Sequence, residues 1–179
     1  MGRIVIEGTP YHIDNFRHYL GRVVGISDWL KIDQKRINDF GRATIDMNRI
    51  HVDPEWAKVN SPFGGIVAHG FLTVGLMTHL SQSAGMVPDG VDYGINLGFE
   101  RLRFLAPVAV NHHVRLKATA VACVVRGSGR WTFKCRCNIE VRETEKVALG
   151  AVRSVLFINT KQAGITAGSG ELAEAASKA

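Results

Sequence analysis

The spacing of hydrophobic and polar residues changes halfway along the chain. From residue 130 to residue 142, apolar side chains hold every odd position and polar side chains hold every even position. This alternation predicts a β-strand with one buried face. Residues 93–104, 114–126 and 147–158 are predicted to be further strands, and the short links that follow residues 126 and 142 favour antiparallel pairing.

The first half of the chain has the spacing of helices. Residues 12–20 are predicted to form a short helix. Asp33 is typical of a residue that precedes a helix, because its carboxylate can accept hydrogen bonds from the free N–H groups of the next turn. Apolar residues then recur at helical spacing as far as residue 43. Asp53 and Pro54 indicate another helix start, since proline at the first helical position loses no hydrogen bond.

A nearly continuous apolar run over residues 66–83 predicts a long helix that is buried on most of its faces. With about eighteen residues and several polar interruptions, the run is too short to predict a membrane span. One buried helix followed by an antiparallel sheet with one apolar face predicts an α+β fold, in which the sheet curves around the helix.

The chain is predicted to form one domain with two short additions. Its 179 residues, 46% of them hydrophobic and 21% charged, are typical of a globular protein. The domain is expected to cover residues 27–158, after an N-terminal extension of residues 1–26. Residues 159–179 are rich in Gly, Ala, Ser and Thr. We expect them to be a flexible tail, with a helical turn near residues 171–176.

The net charge of +6 indicates affinity for anions. The basic residues are scattered and do not alternate with aromatic residues in a run, so we expect no nucleic-acid partner. Phosphate groups of a small ligand and a solvated basic surface explain the charge equally well. Cys123, Cys135 and Cys137 form no C-x-x-C pair and are expected to be buried thiols in a reducing compartment. No signal peptide or membrane segment is expected, so the predicted location is the cytoplasm.

One short region carries residues suited to acid–base chemistry. Asp46 and His51 lie five positions apart, and Gly70 lies in the apolar run that follows. A carboxylate and an imidazole can move protons, and free N–H groups at a helix start can hold a developing oxyanion. Asp46 and His51 are alternatively ordinary loop residues, and Asp53 is better explained as a helix cap. A metal site made of His51, Asp53 and His69 would match no standard zinc spacing, and none is expected.

Three motifs resemble those of a known family. They are D-x-N-x-x-H-x-D-P over residues 46–54, G-G-x-x-A-H-G over residues 64–70 and R-F-x-x-P-V over residues 103–108. Together they resemble the MaoC-like hydratase/dehydratase family, and the segment SDWLKIDQKRINDF resembles its nodulation-protein-N-like subgroup. The resemblance implies the hot-dog fold, in which an antiparallel sheet wraps around a long central helix. It also implies a lyase that hydrates trans-2-enoyl-CoA to (R)-3-hydroxyacyl-CoA, or catalyses the reverse dehydration.

The resemblance implies roles for individual residues. Asp46 and His51 would be the catalytic pair, and the backbone N–H of Gly70 would bind the thioester oxygen. Three further candidates for substrate binding are Asn48, His69 and Thr78. Each of the three also has a structural explanation, respectively as a loop residue, a buried histidine and a core residue. No metal or cofactor is implied, apart from coenzyme A as part of the acyl-CoA substrate. The expected partner is a second copy of the chain, in a homodimer or a higher homo-oligomer.

Two departures from the family pattern leave other functions open. Many family members have proline where this chain has Arg49, and a small residue, often glycine, where it has Ile45. The loop that carries Asp46 could therefore differ in shape, which leaves open a non-catalytic protein that binds acyl thioesters or a partner. A thioesterase on the same fold would need a carboxylate on the central helix, and residues 66–83 contain no Asp or Glu.

Overall fold

The computed structural model describes residues 6–166 and 170–172. Its main feature is an antiparallel sheet in the order β1-β4-β5-β6-β3, with β2 also paired to β4. The strands are β1 (Val23–Ile26), β2 (Leu30–Lys31), β3 (Tyr93–Phe104), β4 (His113–Gly127), β5 (Arg130–Val141) and β6 (Val147–Ile158). The helices are a 3₁₀ helix (Ile13–Tyr19), α1 (Gln34–Thr44), α2 (Arg49–Val52), α3 (Pro54–Asn60), α4 (Gly70–Ser83) and α5 (Thr160–Ala163).

The four long strands confirm the predicted ones to within one residue at each end. In β5 the odd-numbered residues from Trp131 to Val141 are all buried, as the alternation predicts. Cys135 and Cys137 are therefore free thiols on the buried face. Strand β5 pairs with β4 on one side and β6 on the other, so it lies at the centre of the sheet. The buried face of this sheet is the wall against which the helices pack.

The helix caps predicted from sequence are confirmed. The Asp33 carboxylate accepts a hydrogen bond from the backbone N–H of Arg36, at 2.9 Å. Helix α1 begins at Gln34, directly after Asp33. The Asp53 carboxylate accepts from the N–H of Trp56, at 3.0 Å, and Pro54 opens α3. Short helix α2, between the two, is absent from the prediction. Its four residues are too few to show a helical period.

Helix α4 begins at Gly70, four residues later than predicted. The preceding residues are extended because neighbouring segments bind their backbone. The N–H of Ala68 donates to the carbonyl of Val108, and the N–H of Val110 donates to the carbonyl of Ile66. The apolar composition of residues 66–69 reflects burial in this pairing rather than helix. As a result, the start of α4 lies next to the chain that enters β4.

Helix α4 is buried on the side that faces the sheet. Its buried residues are Leu72, Thr73, Met77, Leu80 and Ser81. The predicted burial on most faces is wrong for the single chain, because Phe71 is 68% exposed and Thr78 is also exposed. Apolar composition alone does not distinguish a side that packs on the sheet from a side that faces outward. The sheet nevertheless curves over this helix, which agrees with the predicted α+β architecture.

The predicted N-terminal extension contributes to the same hydrophobic core as the rest of the chain. Phe16 on the 3₁₀ helix contacts the ring of Phe133 on β5, with ring centroids 4.7 Å apart. Tyr11 and Tyr19 are also buried there. Strand β1 then pairs with β4. The boundary at residue 27 therefore does not separate two packing units, and the domain limits stay a prediction.

The beginning of the predicted tail is ordered against the sheet. The Asn159 side chain caps α5 by accepting from the N–H of Gln162, at 2.9 Å. The Asp92 carboxylate accepts from both the N–H and the hydroxyl of Thr160. Most of the predicted helical turn at residues 171–176 lies outside the described residues. No helix in the described part of the chain is both long and apolar enough to cross a membrane.

Candidate active site

The loop after α1 positions Asp46. Helix α1 ends at Ile45, which adopts the left-handed conformation with φ 61° and is 89% exposed. The carboxylate of Asp46 accepts from the N–H of Asn48, at 3.4 Å. The side chain of Asn48 in turn accepts from the N–H of Ile50, at 3.1 Å, and so caps α2. Asn48 therefore shapes the loop through hydrogen bonds to backbone, which is the structural role considered for it from sequence.

Arg49, which stands where many family members have proline, is the first residue of helix α2. The guanidinium of Arg49 donates to the carboxylate of Asp53, at 2.9 Å, and lies 5.2 Å from the ring centre of Trp56. These contacts hold α2 against the start of α3, so the helix does not depend on proline at this position. Asp53 is used as a cap and as the partner of Arg49, so it does not join His51 and His69 in the combination considered from sequence.

His51, on α2, has one ring nitrogen free to act as a base. Its Nδ1 lies 2.7 Å from the carbonyl oxygen of Val67. Since a carbonyl only accepts, Nδ1 is assigned the proton and Nε2 keeps its lone pair. Burial lowers the pKa of His51 below 6.5; nearby His69 lowers it too, while the Val67 bond and Asp46 oppose this. The imidazole is therefore neutral at pH 7 and able to accept a proton.

His69 connects this histidine to the Asp46 loop. Its side chain is 3% exposed, and its Nε2 donates to the backbone carbonyl of Asp46, at 2.9 Å. The rings of His51 and His69 lie 3.8 Å apart between centroids. Gly41 lets the Asp46 loop lie close to α1, since a Cβ at residue 41 would lie 2.9 Å from the Asp46 carbonyl oxygen. His69 therefore fixes the Asp46 loop through its bond to the Asp46 carbonyl. It does not line the cavity described next.

The three side chains form a compact group. One ligand atom each from Asp46, His51 and His69 lie within 4.8 Å of one another. Such atoms can hold a cation, but Nδ1 of His51 and Nε2 of His69 are already bonded to carbonyl oxygens. The same spacing also suits a single water molecule bridging the carboxylate and the free nitrogen of His51.

A mainly apolar cavity of about 540 Å³ opens beside His51. Its walls include His51, Gly70, Phe71, Thr73 and Phe104. No side chain caps the start of α4, so the N–H groups of its first turn carry a partial positive charge at the cavity. A Cβ at position 70 would lie 2.9 Å from the Phe104 ring, so a larger residue there would have to displace that ring.

Of the six predicted site residues, His51 and Gly70 line this cavity. Asp46, Asn48 and His69 lie beside His51 but outside the cavity wall, and Thr78 lies elsewhere. Thr78 lies away from this cavity, in the wall of a second one, where the guanidinium of Arg153 donates to it at 3.5 Å. Thr73 takes the position expected of Thr78: it lines the cavity, and its hydroxyl donates to the Gly70 carbonyl, at 2.6 Å. Its spacing of three residues from Gly70 was the available signal, since residues one turn apart share a helix face.

Comparison with known proteins shows which family the chain resembles. The family model described as "MaoC like domain" matches residues 15–134. Nodulation protein N of Rhizobium leguminosarum bv. viciae is 36% identical over 132 residues, 74% of this chain and 82% of that protein. The 3-hydroxyacyl-thioester dehydratase Z of Mycobacterium tuberculosis (strain ATCC 25618 / H37Rv) is 38% identical over 138 residues, 77% and 90% of the two chains.

A solved structure shows the same fold at low sequence identity. The (R)-hydratase from A. caviae involved in PHA biosynthesis superimposes with a TM-score of 0.61 and 21% identity. The match covers 76% of this chain and 94% of that one. Together with the sheet topology, this likeness confirms the predicted hot-dog fold.

Proposed function

Since this chain belongs to the MaoC-like domain family and has hydratase and dehydratase relatives, we propose that it is an enoyl-CoA hydratase. It would add water to a trans-2-enoyl-CoA to give the (R)-3-hydroxyacyl-CoA, or catalyse the reverse dehydration. The observation that carries this proposal is the free Nε2 of His51 at the wall of an apolar cavity, beside Asp46 and the uncapped start of α4.

In the proposed reaction, one water molecule lies between the Asp46 carboxylate and Nε2 of His51. His51 accepts a proton as the water oxygen attacks C3 of the enoyl thioester, and Asp46 orients the water through a hydrogen bond. The proton held by His51 is then delivered to C2, so the elements of one water are added across the double bond. A neutral imidazole can perform both steps, which fits the lowered pKa of His51.

The thioester oxygen gains negative charge when C3 is attacked. The N–H groups of Gly70 and its neighbour, at the uncapped start of α4, would stabilise that charge. Oxyanion donors of this kind are worth about 3–4 kcal/mol of barrier in enzymes where one has been removed. The apolar walls of the cavity, including Phe71 and Phe104, would hold the acyl chain. Apart from the coenzyme A moiety of the substrate, this reaction uses no cofactor or metal.

We further propose that the enzyme acts as a homodimer. Strand β3 lies at the edge of the sheet and pairs only with β6 among the described strands. Near it, Phe71, Tyr93 and Phe104 are each at least 48% exposed. A twelve-residue edge strand beside exposed aromatic rings favours pairing with a second copy. The cytoplasmic location, for which the fold gives no evidence, stays a prediction.

Hydration of crotonyl-CoA by purified variants tests the catalytic assignment. We expect Asp46→Asn and His51→Ala each to lower kcat/KM by roughly 100-fold or more, because the first removes the carboxylate that orients the water and the second removes the base. Matched controls are Asp39→Asn on α1 and His79→Ala on α4, which change an exposed carboxylate and an exposed histidine. Circular dichroism would confirm folding. Near-normal turnover in either site variant would refute the assignment of the pair.

Assays on the same purified protein distinguish the two alternative functions, a thioesterase and a non-catalytic binding protein. Release of free thiol from acyl-CoA, without hydration, would indicate a thioesterase, although α4 carries no carboxylate. Tight acyl-CoA binding without hydration or thiol release would indicate a non-catalytic binding protein. This last function is considered because Ile45, next to Asp46, adopts the left-handed backbone conformation.

A further inference from the structure

A second cavity, of about 240 Å³, lies at the other end of α4. It is enclosed by the last turns of that helix and by strands β3, β5 and β6. One part of its wall is polar, with Thr78 and Gln82, and another is apolar, with Met86 and Phe157. Arg153 on β6 also lines this cavity. The proposed hydration reaction uses none of these residues.

Arg153 is a buried cation whose hydrogen-bond partners are all uncharged. The residue is only 6% exposed. Its Nε donates to the side-chain oxygen of Asn96, at 2.9 Å, and its Nη1 donates to the hydroxyl of Ser81, at 2.7 Å. Its Nη2 donates to Asn96 and, at 3.5 Å, to Thr78. No carboxylate among the described residues forms an ion pair with it.

A guanidinium stays protonated in a protein, and a buried charge without an opposite charge is costly. Asp92 lies in the same wall, but its carboxylate accepts from Thr160 rather than from Arg153. The thiols of Cys135 and Cys137 are also near, with their sulfurs 3.3 Å apart. The positive charge therefore faces a cavity in which no carboxylate neutralises it.

We propose that this cavity binds a small carboxylate with an apolar body. The carboxylate would accept a charge-assisted hydrogen bond from the Nη1 N–H of Arg153 that Ser81 does not take, and the apolar body would contact Met86 and Phe157. Helix α4 rises about 1.5 Å per residue, so Ser81 lies roughly 16 Å along the helix from Gly70. Because a short acyl chain whose thioester is held at Gly70 would not reach that far, the ligand is a free carboxylate.

Butanoate is the test ligand, and butanamide, which has the same shape without the charge, is its control. The full chain is titrated with each by isothermal calorimetry and thermal unfolding, at an ionic strength fixed with sodium chloride. We expect butanoate to bind and raise Tm, and butanamide to do neither. Arg153→Met should weaken butanoate binding at least roughly tenfold, because it removes the charge-assisted bonds and keeps a long side chain.

Three further variants make the result specific to this cavity. Arg136→Met removes an exposed guanidinium from β5 and should leave butanoate affinity unchanged. His51→Ala should also leave it unchanged, since His51 lines the other cavity. Arg153→Lys keeps the charge without the planar donors and should bind more weakly than the wild type but more tightly than Arg153→Met, which keeps the test open if Arg153→Met fails to fold.

Several outcomes would overturn the proposal. Equal binding of butanoate and butanamide would show that charge is not recognised. Unchanged affinity in folded Arg153→Met, or loss of affinity in His51→Ala, would place the ligand elsewhere. If the wild type does not bind butanoate, the cavity is not a carboxylate site; binding that appears only in Cys137→Ser would then identify the Cys137 thiolate as the counterion of Arg153.

Discussion

At the residue scale, the proposed chemistry depends on the protonation state of His51. Burial lowers its pKa below 6.5, so the residue becomes inactive as a base only when the pH falls below that value. We expect kcat/KM for crotonyl-CoA to be flat near pH 7 and to decrease on an acid limb whose midpoint lies below pH 6.5. Stopped-flow measurements from pH 5 to 8 would define the limb.

A variant of the neighbouring histidine checks the cause of this shift. After burial, the charge of His69 is the other cause that lowers the pKa of His51, and a glutamine amide can still donate to the Asp46 carbonyl. His69→Gln should therefore move the acid limb to higher pH without removing activity. An acid limb centred above pH 6.5 in the wild type, or one that His69→Gln leaves in place, would contradict this account.

Ile45 carries backbone strain that the family pattern avoids with a small residue. A β-branched residue at φ 61° is unfavourable, and its side chain, 89% exposed, gains little from packing. We expect Ile45→Gly to raise the free energy of unfolding by roughly 0.5–1 kcal/mol, measured by urea denaturation. The matched control is Val59→Gly, an exposed β-branched residue inside α3, which should lower stability by a similar amount. Equal losses in both variants would show that Ile45 is not strained.

Sequence motifs identified side chains at the site but not how each one acts. That Asp46 and His51 lie close together was predictable from the combination of the motifs over residues 46–54 and 64–70, since the spacing of the two residues alone is a weak signal. The role of His69 was not, since its bond to the Asp46 carbonyl depends on the close approach at Gly41. Thr78 was placed at the wrong cavity because a position along a helix does not determine which part of a groove it faces.

At the scale of elements, the turn between β5 and β6 is fixed to the start of β4. The carboxylate of Glu143 accepts from the backbone N–H of His113, at 2.9 Å, and from Nδ1 of its ring, at 2.7 Å. Partial burial raises the pKa of Glu143, but these His113 donors outweigh it and bring the pKa to about 2, from 4.5. The charged carboxylate is thus preferred in the folded state.

This preference makes the stability of the fold depend on pH. A lowered carboxylate pKa contributes stability that is complete above pH 4.5 and is lost as the pH falls toward 2. Allowing for solvent screening at this partly exposed residue, we expect Glu143→Gln to lower unfolding free energy by about 1 kcal/mol at pH 7. The difference from the wild type should disappear near pH 2, by urea denaturation at each pH. A difference that is independent of pH would mean that the bond to His113 is not charge-assisted. Glu145→Gln, in the same turn, is the matched control.

Elements with a clear period were predicted well, and those held by long-range hydrogen bonds were not. The alternation in residues 130–142 identified β5, because one face of that strand is buried and the other is not. The apolar run 66–83 did not reveal that α4 starts at Gly70. Its first residues pair with the chain before β4, and this pairing joins positions about forty residues apart.

At the scale of the whole molecule, the fold class was predictable, and the exposed side of α4 was not. Composition predicted a buried helix, but Phe71 and Phe104, whose rings are 5.6 Å apart, face outward in the single chain. Exposed aromatic rings beside the edge of β3, which pairs only with β6 among the described residues, support the proposal that a second copy covers this surface. Phe71 also lines the cavity beside His51, so the proposed interface would adjoin the proposed active site.

The dimer is tested by placing a charge on this surface. We expect Phe71→Asp to shift the protein from dimer to monomer in sedimentation equilibrium, because a desolvated carboxylate at a self-complementary interface appears twice. Crotonyl-CoA hydration should fall with it, since Phe71 also lines the cavity. Val125→Asp, at an equally apolar and 53% exposed position on β4, should remain dimeric and active. A monomeric wild type would remove the edge of β3 as an interface while leaving the Asp46–His51 assignment intact, because that pair is contained within one chain.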